Sequence, residues 1–82
     1  MKLTLIERLP KNSDKKPQVL DLAVDYDESL KSILTKLNDY RAPDNQIVSL
    51  YNKYGQKIPL TFHVRGEITF YYEIGEVEDE KN

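Results

Sequence analysis

The most regular segment of this sequence is Ile68-Thr69-Phe70-Tyr71-Tyr72-Glu73-Ile74. Its even positions are apolar or aromatic and alternate with Thr69, Tyr71 and Glu73. An alternation of period two places the apolar side chains on one face of an extended chain. The segment therefore predicts a strand, and its uninterrupted pattern predicts a central position in a sheet.

Two earlier segments predict a hairpin. Residues 2–9 and residues 20–24 both alternate between apolar and polar side chains, as strands do. The loop between them is polar and is bounded by Pro10 and Pro17, which favour a turn over continued pairing. We expect the two strands to pair with each other.

A third strand and a less regular fourth segment are expected before the final strand. Residues 47–51 form a β-branched and aromatic run, and Gly55 follows at a position where a hairpin turn needs a left-handed residue. Residues 58–65 also alternate, but Pro59 cannot donate a hydrogen bond to a ladder. This part is expected to be a short edge strand or an irregular connection.

One helix is predicted between the hairpin and the third strand. Asp25 and Glu28 have the spacing of a capping box, so we expect the helix to begin there. Pro43 ends it, because the residue before a proline is disfavoured in the helical conformation. Its apolar stripe has the i, i+3, i+4, i+7 spacing and consists of Leu30, Ile33, Leu34 and Leu37.

The order of these elements predicts an α+β domain, with one helix packed across one face of a mixed sheet. At 82 residues the chain is long enough for one core, and we assign residues 1–75 to it. Residues 76–82 are acidic and are expected to be a disordered tail.

The segment Ala42-Pro43-Asp44-Asn45-Gln46-Ile47-Val48-Ser49-Leu50, followed by Gly55-Gln56-Lys57-Ile58, resembles the corresponding stretch of ubiquitin. The resemblance covers residues 1–74 and implies the ubiquitin-like β-grasp fold, ββαβ(β)β. It does not extend to ubiquitin's chemistry, because a lone Gly75 stands where ubiquitin and sulfur carriers have a terminal glycine pair. Ser49 falls where ubiquitin presents an apolar anchor on its sheet, so we do not expect standard ubiquitin receptors to bind the sheet surface around Ser49.

The composition argues against several functional classes. The net charge is -2, so bulk electrostatics do not favour nucleic acid. The chain has no cysteine and only one histidine, His63, which leaves no thiolate site and no histidine pair for a metal. We therefore expect no enzyme, cofactor or metal. The lack of cysteine and of a long apolar run favours a cytoplasmic location without a membrane contact.

The sheet face opposite the helix is the candidate binding site. If the even-numbered residues of the later strands face the helix, the outer face carries aromatic, β-branched and basic side chains that suit a protein interface. The alternative is that β-branched and aromatic residues occur here because they favour strands, and have no binding role. The candidate residues are Ile6, Arg8, Ala23, Ile47, Ser49, Tyr51, Thr69 and Tyr71.

These features favour a noncatalytic protein-interaction module, such as an adaptor or accessory subunit of a bacterial assembly. One alternative is a small phage-type or regulatory inhibitor that uses the acidic segment 76–82. Another is single-stranded nucleic-acid binding through the tyrosines of the sheet face. The protein partner is not specified by the sequence, and a monomer is the simplest expectation.

Overall fold

The computed structural model of the chain describes residues 1–75. In chain order its elements are β1 (Lys2–Glu7), β2 (Val19–Ala23), β3 (Glu28–Ser29), α1 (Leu30–Asn38), a short 3-10 helix (Pro43–Asn45), β4 (Gln46–Tyr51), β5 (His63–Val64) and β6 (Ile68–Gly75). The prediction of disorder for residues 76–82 lies outside the described residues. Within residues 1–75, no helix is long and apolar enough to cross a membrane.

Four of the strands form one mixed sheet in the order β2-β1-β6-β4. β1 is antiparallel to β2 and parallel to β6, and β6 is antiparallel to β4. The predicted α+β class, the hairpin of the first two strands and the central position of the last strand are confirmed. The short strands β3 and β5 pair separately from this sheet.

The core lies between this sheet and α1. Alternation along the strands points every second side chain toward the helix, and the apolar stripe of the helix faces the sheet. Each side chain contributes by removing apolar surface from water, at about 25 cal/mol per Å². The buried residues at the centre of this layer are Leu3, Leu5, Leu30, Ile33, Leu34, Ile47, Leu50, Val64, Phe70 and Tyr72.

Tyr72 is the one tyrosine of this core, and its side chain is fully buried. Its hydroxyl group finds no hydrogen-bond partner among residues 1–75. Burial raises the pKa of the Tyr72 hydroxyl above its ordinary value, and the nearby Glu7 carboxylate raises it further. The side chain therefore contributes apolar packing while its polar atom is left unsatisfied.

The helix begins later than the capping-box spacing predicts. Glu28 does accept a hydrogen bond from the amide of Asp25 at 3.2 Å, but this bond closes a turn that precedes the helix. Asp27 within that turn has a φ of 68°, a left-handed conformation that interrupts helical geometry. The helix starts at Leu30, and Ser29 is its N-cap, accepting from the amide of Ser32 at 3.1 Å.

The segment before β6 supplies further caps for α1. The amide of Leu30 donates to the carbonyl of Phe62 at 2.9 Å, and the amide of Lys31 donates to Leu60 at 3.0 Å. These two bonds satisfy amides that an isolated helix leaves unpaired. Residues 58–65 are thus mainly an irregular connection, with only His63–Val64 in a strand. The turn ahead of it contains Gly55 at a φ of 80°, as predicted.

Candidate functional site

The sheet has one covered face and one open face. α1 packs on the face that carries Leu5 and Phe70, which are paired neighbours on β1 and β6 and are both buried. Because successive side chains point to opposite faces, Ile6 and Tyr71 point away from the helix. We call this the open face, because α1, the one α-helix of residues 1–75, packs on the other face.

The register of the strands aligns four apolar or aromatic side chains across the open face. Val19 on β2 lies opposite Ile6 on β1, and Ile6 lies beside Tyr71 on β6. Tyr71 in turn lies opposite Tyr51 on β4. We call Val19, Ile6, Tyr71 and Tyr51 the transverse row, because it crosses all four strands.

Polar contacts hold one end of the transverse row in place. The guanidinium carbon of Arg8 lies 4.0 Å from the centroid of the Tyr51 ring, within the range of a cation–π contact. The hydroxyl of Tyr51 donates to a carboxylate oxygen of Glu73 at 2.7 Å. Arg8 and Glu73 therefore fix the orientation of the ring from its face and from its tip.

The other margin of the row is made of small polar side chains. Thr4 lies beside Thr69 on one side and opposite Asp21 on the other. The Thr4 hydroxyl donates to the Asp21 carboxylate at 3.0 Å. An apolar centre with a polar rim is the usual arrangement of a protein-binding surface.

The structure places most of the predicted residues on the open face. Ile6, Arg8, Tyr51, Thr69 and Tyr71 all lie there. Each is half-buried or exposed, so each retains surface that a partner could contact. Ala23, at the end of β2, shares the same face.

The prediction was wrong for Ile47, which is only 2% exposed and belongs to the core. A register shift between Ile47 and Ser49 inserts an extra residue into β4, so strict alternation fails at that point. Ser49 lies opposite Glu73 but is only 8% exposed. It borders a cleft of about 360 Å³ between β4 and residues 57–60, and offers little of its own surface.

Sequence reasoning missed Val19, which is 54% exposed and forms one end of the transverse row. It also missed Thr4, Asp21 and Glu73. The parity of strand residues could have placed Thr4 and Glu73 on this face. Asp21 has the same parity as Ala23, so parity places it there as well. Val19 was missed because the predicted strand began at residue 20, one residue after the start of β2.

A second polar cluster lies where β3 meets β5. The Arg65 side chain donates to the Asp27 carboxylate, and this bond is the main reason that the pKa of Asp27 is lowered. His63 Nδ1 lies 2.7 Å from the Asp27 carbonyl oxygen and 3.5 Å from its carboxylate. Ser29, opposite His63 in the register, already caps α1. These contacts give the cluster a structural role at the start of the helix.

A third group of charges caps the same end of the helix. Glu28 accepts hydrogen bonds from the Lys36 ammonium group at 2.7 Å and from the Ser32 hydroxyl at 2.9 Å. The bond from Lys36 is the largest reason that the pKa of the Glu28 carboxyl is lowered, followed by the bond from the Asp25 amide. The carboxylates of Asp27 and Glu28 therefore both have partners.

Comparisons with protein-family models, with curated protein sequences and with solved structures find no match to this chain. Within residues 1–75, no three side chains of the types that ligate metals lie close enough together to hold an ion. The open face with its transverse row is the feature that can be assigned a function from its geometry.

Proposed function

We propose that this chain is a noncatalytic protein-interaction module of the ubiquitin-like β-grasp type, and that a protein partner binds its open sheet face. The observation that carries the proposal is the transverse row, which brings four large side chains into one line across the sheet. Aromatic residues and Arg are enriched at the energetic centres of interfaces. Within residues 1–75, the strand order, the parallel pair β1 and β6 and the one α-helix support the fold assignment.

The contacts around Tyr51 also support a protein partner. Arg8 and Glu73 hold the ring before any partner arrives, so binding loses little side-chain entropy. Tyrosine presents a large amphipathic area with only two rotatable bonds, which further reduces that cost. The row is thus a preorganised surface.

The same contacts weigh against single-stranded nucleic acid. A base would stack on a free aromatic face, but the guanidinium of Arg8 already covers one face of Tyr51. The Glu73 carboxylate at the tip of that ring would also repel a phosphate. We expect labelled single-stranded DNA and RNA to give flat titrations at low salt, and a saturable signal there would favour the nucleic-acid alternative.

The test uses tyrosines on and off the open face as matched variants. Tyr51→Ala and Tyr71→Ala remove ring area from the row, whereas Tyr40→Ala and Tyr54→Ala remove side chains that are 91% and 76% exposed elsewhere. Isotope-labelled affinity capture from the source organism's lysate should yield proteins that the off-face variants retain and the row variants lose. Circular dichroism checks that all four variants fold.

Equal capture by all four variants and the parent chain would overturn the open-face proposal. Deleting residues 76–82 adds an arm for the inhibitor alternative. If that deletion abolishes capture while Tyr71→Ala does not, the acidic segment carries the binding. If capture survives the deletion and is lost in Tyr71→Ala, the open face carries it.

A further inference from the structure

The two outer edges of the four-stranded sheet differ in how their backbone groups are satisfied. Along the β4 edge, the Asn38 side chain accepts from the amide of Ile47 at 2.9 Å and donates to its carbonyl at 3.1 Å. Farther along, the amide of Ile58 donates to the carbonyl of Leu50 at 2.8 Å. These contacts close the β4 edge against an additional strand.

The β2 edge has no such cover among residues 1–75. Val24 exchanges backbone hydrogen bonds with Met1, and the amide of Glu7 donates to Gln18, so even-numbered residues of this strand face β1. The amides and carbonyls of the odd-numbered residues Val19, Asp21 and Ala23 consequently point away from the sheet. Within the described part of the chain, none of them takes part in a backbone bond outside the strand pairing.

An apolar groove runs beside this open edge, on the helix side of the sheet. It has a volume of about 100 Å³, has Leu22 of β2 and Ile33 and Leu37 of α1 as its large apolar side chains, and is bordered by the Glu28–Lys36 ion pair. Leu22 and Leu37 pack against the core but are only partly buried. A strand added to β2 would direct every second side chain over this groove.

The charge at the middle of the edge indicates what the added strand carries. Asp21 accepts from the Thr4 hydroxyl, and no Lys or Arg within residues 1–75 forms an ion pair with it. A basic side chain directly opposite would be favourable, whereas a like charge would be unfavourable. A second copy of the chain, paired through all three outward residues, would set Asp21 against its own counterpart.

We propose that β2 binds an extended peptide segment of a partner protein, in which apolar residues facing the groove alternate with basic residues facing Asp21. The peptide adds as a fifth, antiparallel strand, because antiparallel pairing is slightly more stable per residue. Its backbone forms hydrogen bonds with the outward amides and carbonyls of Val19, Asp21 and Ala23. Its apolar side chains cover Leu22 and Leu37. This site is separate from the centre of the transverse row.

The test titrates the isotope-labelled full chain with two synthetic peptides, acetyl-Val-Lys-Val-Lys-Val-Lys-Val-amide and the same peptide with Glu in place of Lys. Nuclear magnetic resonance should show new exchange protection at the amides of Val19, Asp21 and Ala23 with the basic peptide. We expect the basic peptide to bind about tenfold more tightly than the acidic one, because Lys opposite Asp21 is attracted to it and Glu at the same position is repelled.

Charge-reversed variants assign the preference to one residue. Asp21→Lys should invert the order of the two peptides, whereas Asp44→Lys, on the exposed 3-10 helix, should leave it unchanged. Tyr71→Ala should bind the basic peptide as the parent does, so failure here and failure of the open-face proposal are distinguishable.

Three results would overturn the inference. The first is equal binding of both peptides to the parent chain. The second is the absence of protection at the β2 amides at millimolar peptide. The third is protection of the same amides that rises with protein concentration alone, which would identify a second copy of the chain as the occupant.

Discussion

Replacing Tyr72 by Phe removes a hydroxyl group that is buried without a partner among residues 1–75, while the ring keeps its packing. A buried, unsatisfied polar group costs about 1–3 kcal/mol of stability. The missing oxygen leaves a void of roughly 15–20 Å³, which costs about 0.4–0.5 kcal/mol at ~24 cal/mol per Å³. The variant should therefore be more stable than the parent by about 0.5–2.5 kcal/mol.

Urea unfolding followed by circular dichroism measures this difference. The midpoint should rise while the slope of the unfolding free energy stays unchanged, because the exposed surface on unfolding is nearly the same. In a thermal scan the gain corresponds to roughly 2–20 °C for a domain of this size. Tyr71→Phe is the matched control, since its hydroxyl lies on the half-buried open face, and it should change stability by less than about 0.5 kcal/mol.

The effect should also grow at alkaline pH. Burial raises the pKa of Tyr72, so the unfolded chain releases this proton at a lower pH than the folded chain does. The parent therefore loses stability as pH rises above the ordinary tyrosine pKa, and Tyr72→Phe lacks that loss. A variant less stable than the parent by about 1 kcal/mol would show that the hydroxyl has a partner, and would refute the reasoning.

Substitutions at three further places test a helix cap, a strand edge and a turn. Because the pKa of Glu28 is lowered in the folded chain, its carboxylate contributes stability above the ordinary glutamate pKa that is lost as pH falls through the folded pKa. Glu28→Gln should therefore flatten the acid limb of a plot of stability against pH, and Lys36→Gln should make that limb less steep. Asn38→Ala removes both side-chain bonds to the β4 edge and should cost about 1–3 kcal/mol in urea unfolding, and a neutral result would show that the edge needs no cover. Gly55→Ala places an alanine in the left-handed conformation and should cost about 1–2 kcal/mol of stability. Gly66→Ala, with open space around it, should be near neutral. Equal costs would show that the left-handed conformation of Gly55 is not the cause of its loss of stability.

The elements that could be predicted are those whose pattern is set by local geometry. The alternation of residues 68–74 and the stripe of α1 each depend only on the period of their own backbone, so both appear in the structure. The open face was predicted for the same reason at Ile6, Tyr51 and Tyr71. These positions follow from parity as long as the strands remain regular.

The elements that failed depend on partners distant in sequence. Asp25 and Glu28 have capping-box spacing, but the left-handed Asp27 and the pairing of Glu28–Ser29 with His63–Val64 keep these residues outside the helix. Ile47 turned inward because β4 carries a bulge, and no residue type in that segment specifies one. Val19 belongs to the site because β2 begins one residue earlier than the predicted strand of residues 20–24, and that boundary is set by pairing with Ile6.

The position of β6 between β1 and β4 also has a consequence for the order of folding. During synthesis the β1–β2 hairpin and β4 emerge first, yet neither pairs with the other in the finished sheet. Both wait for residues 68–75, so the nascent chain exposes unpaired strand edges until β6 is available. Such long-range pairing folds slowly compared with local contacts. We therefore expect chains truncated before Ile68 to be captured by chaperones or to aggregate, and addition of a β6 peptide in trans to restore the sheet.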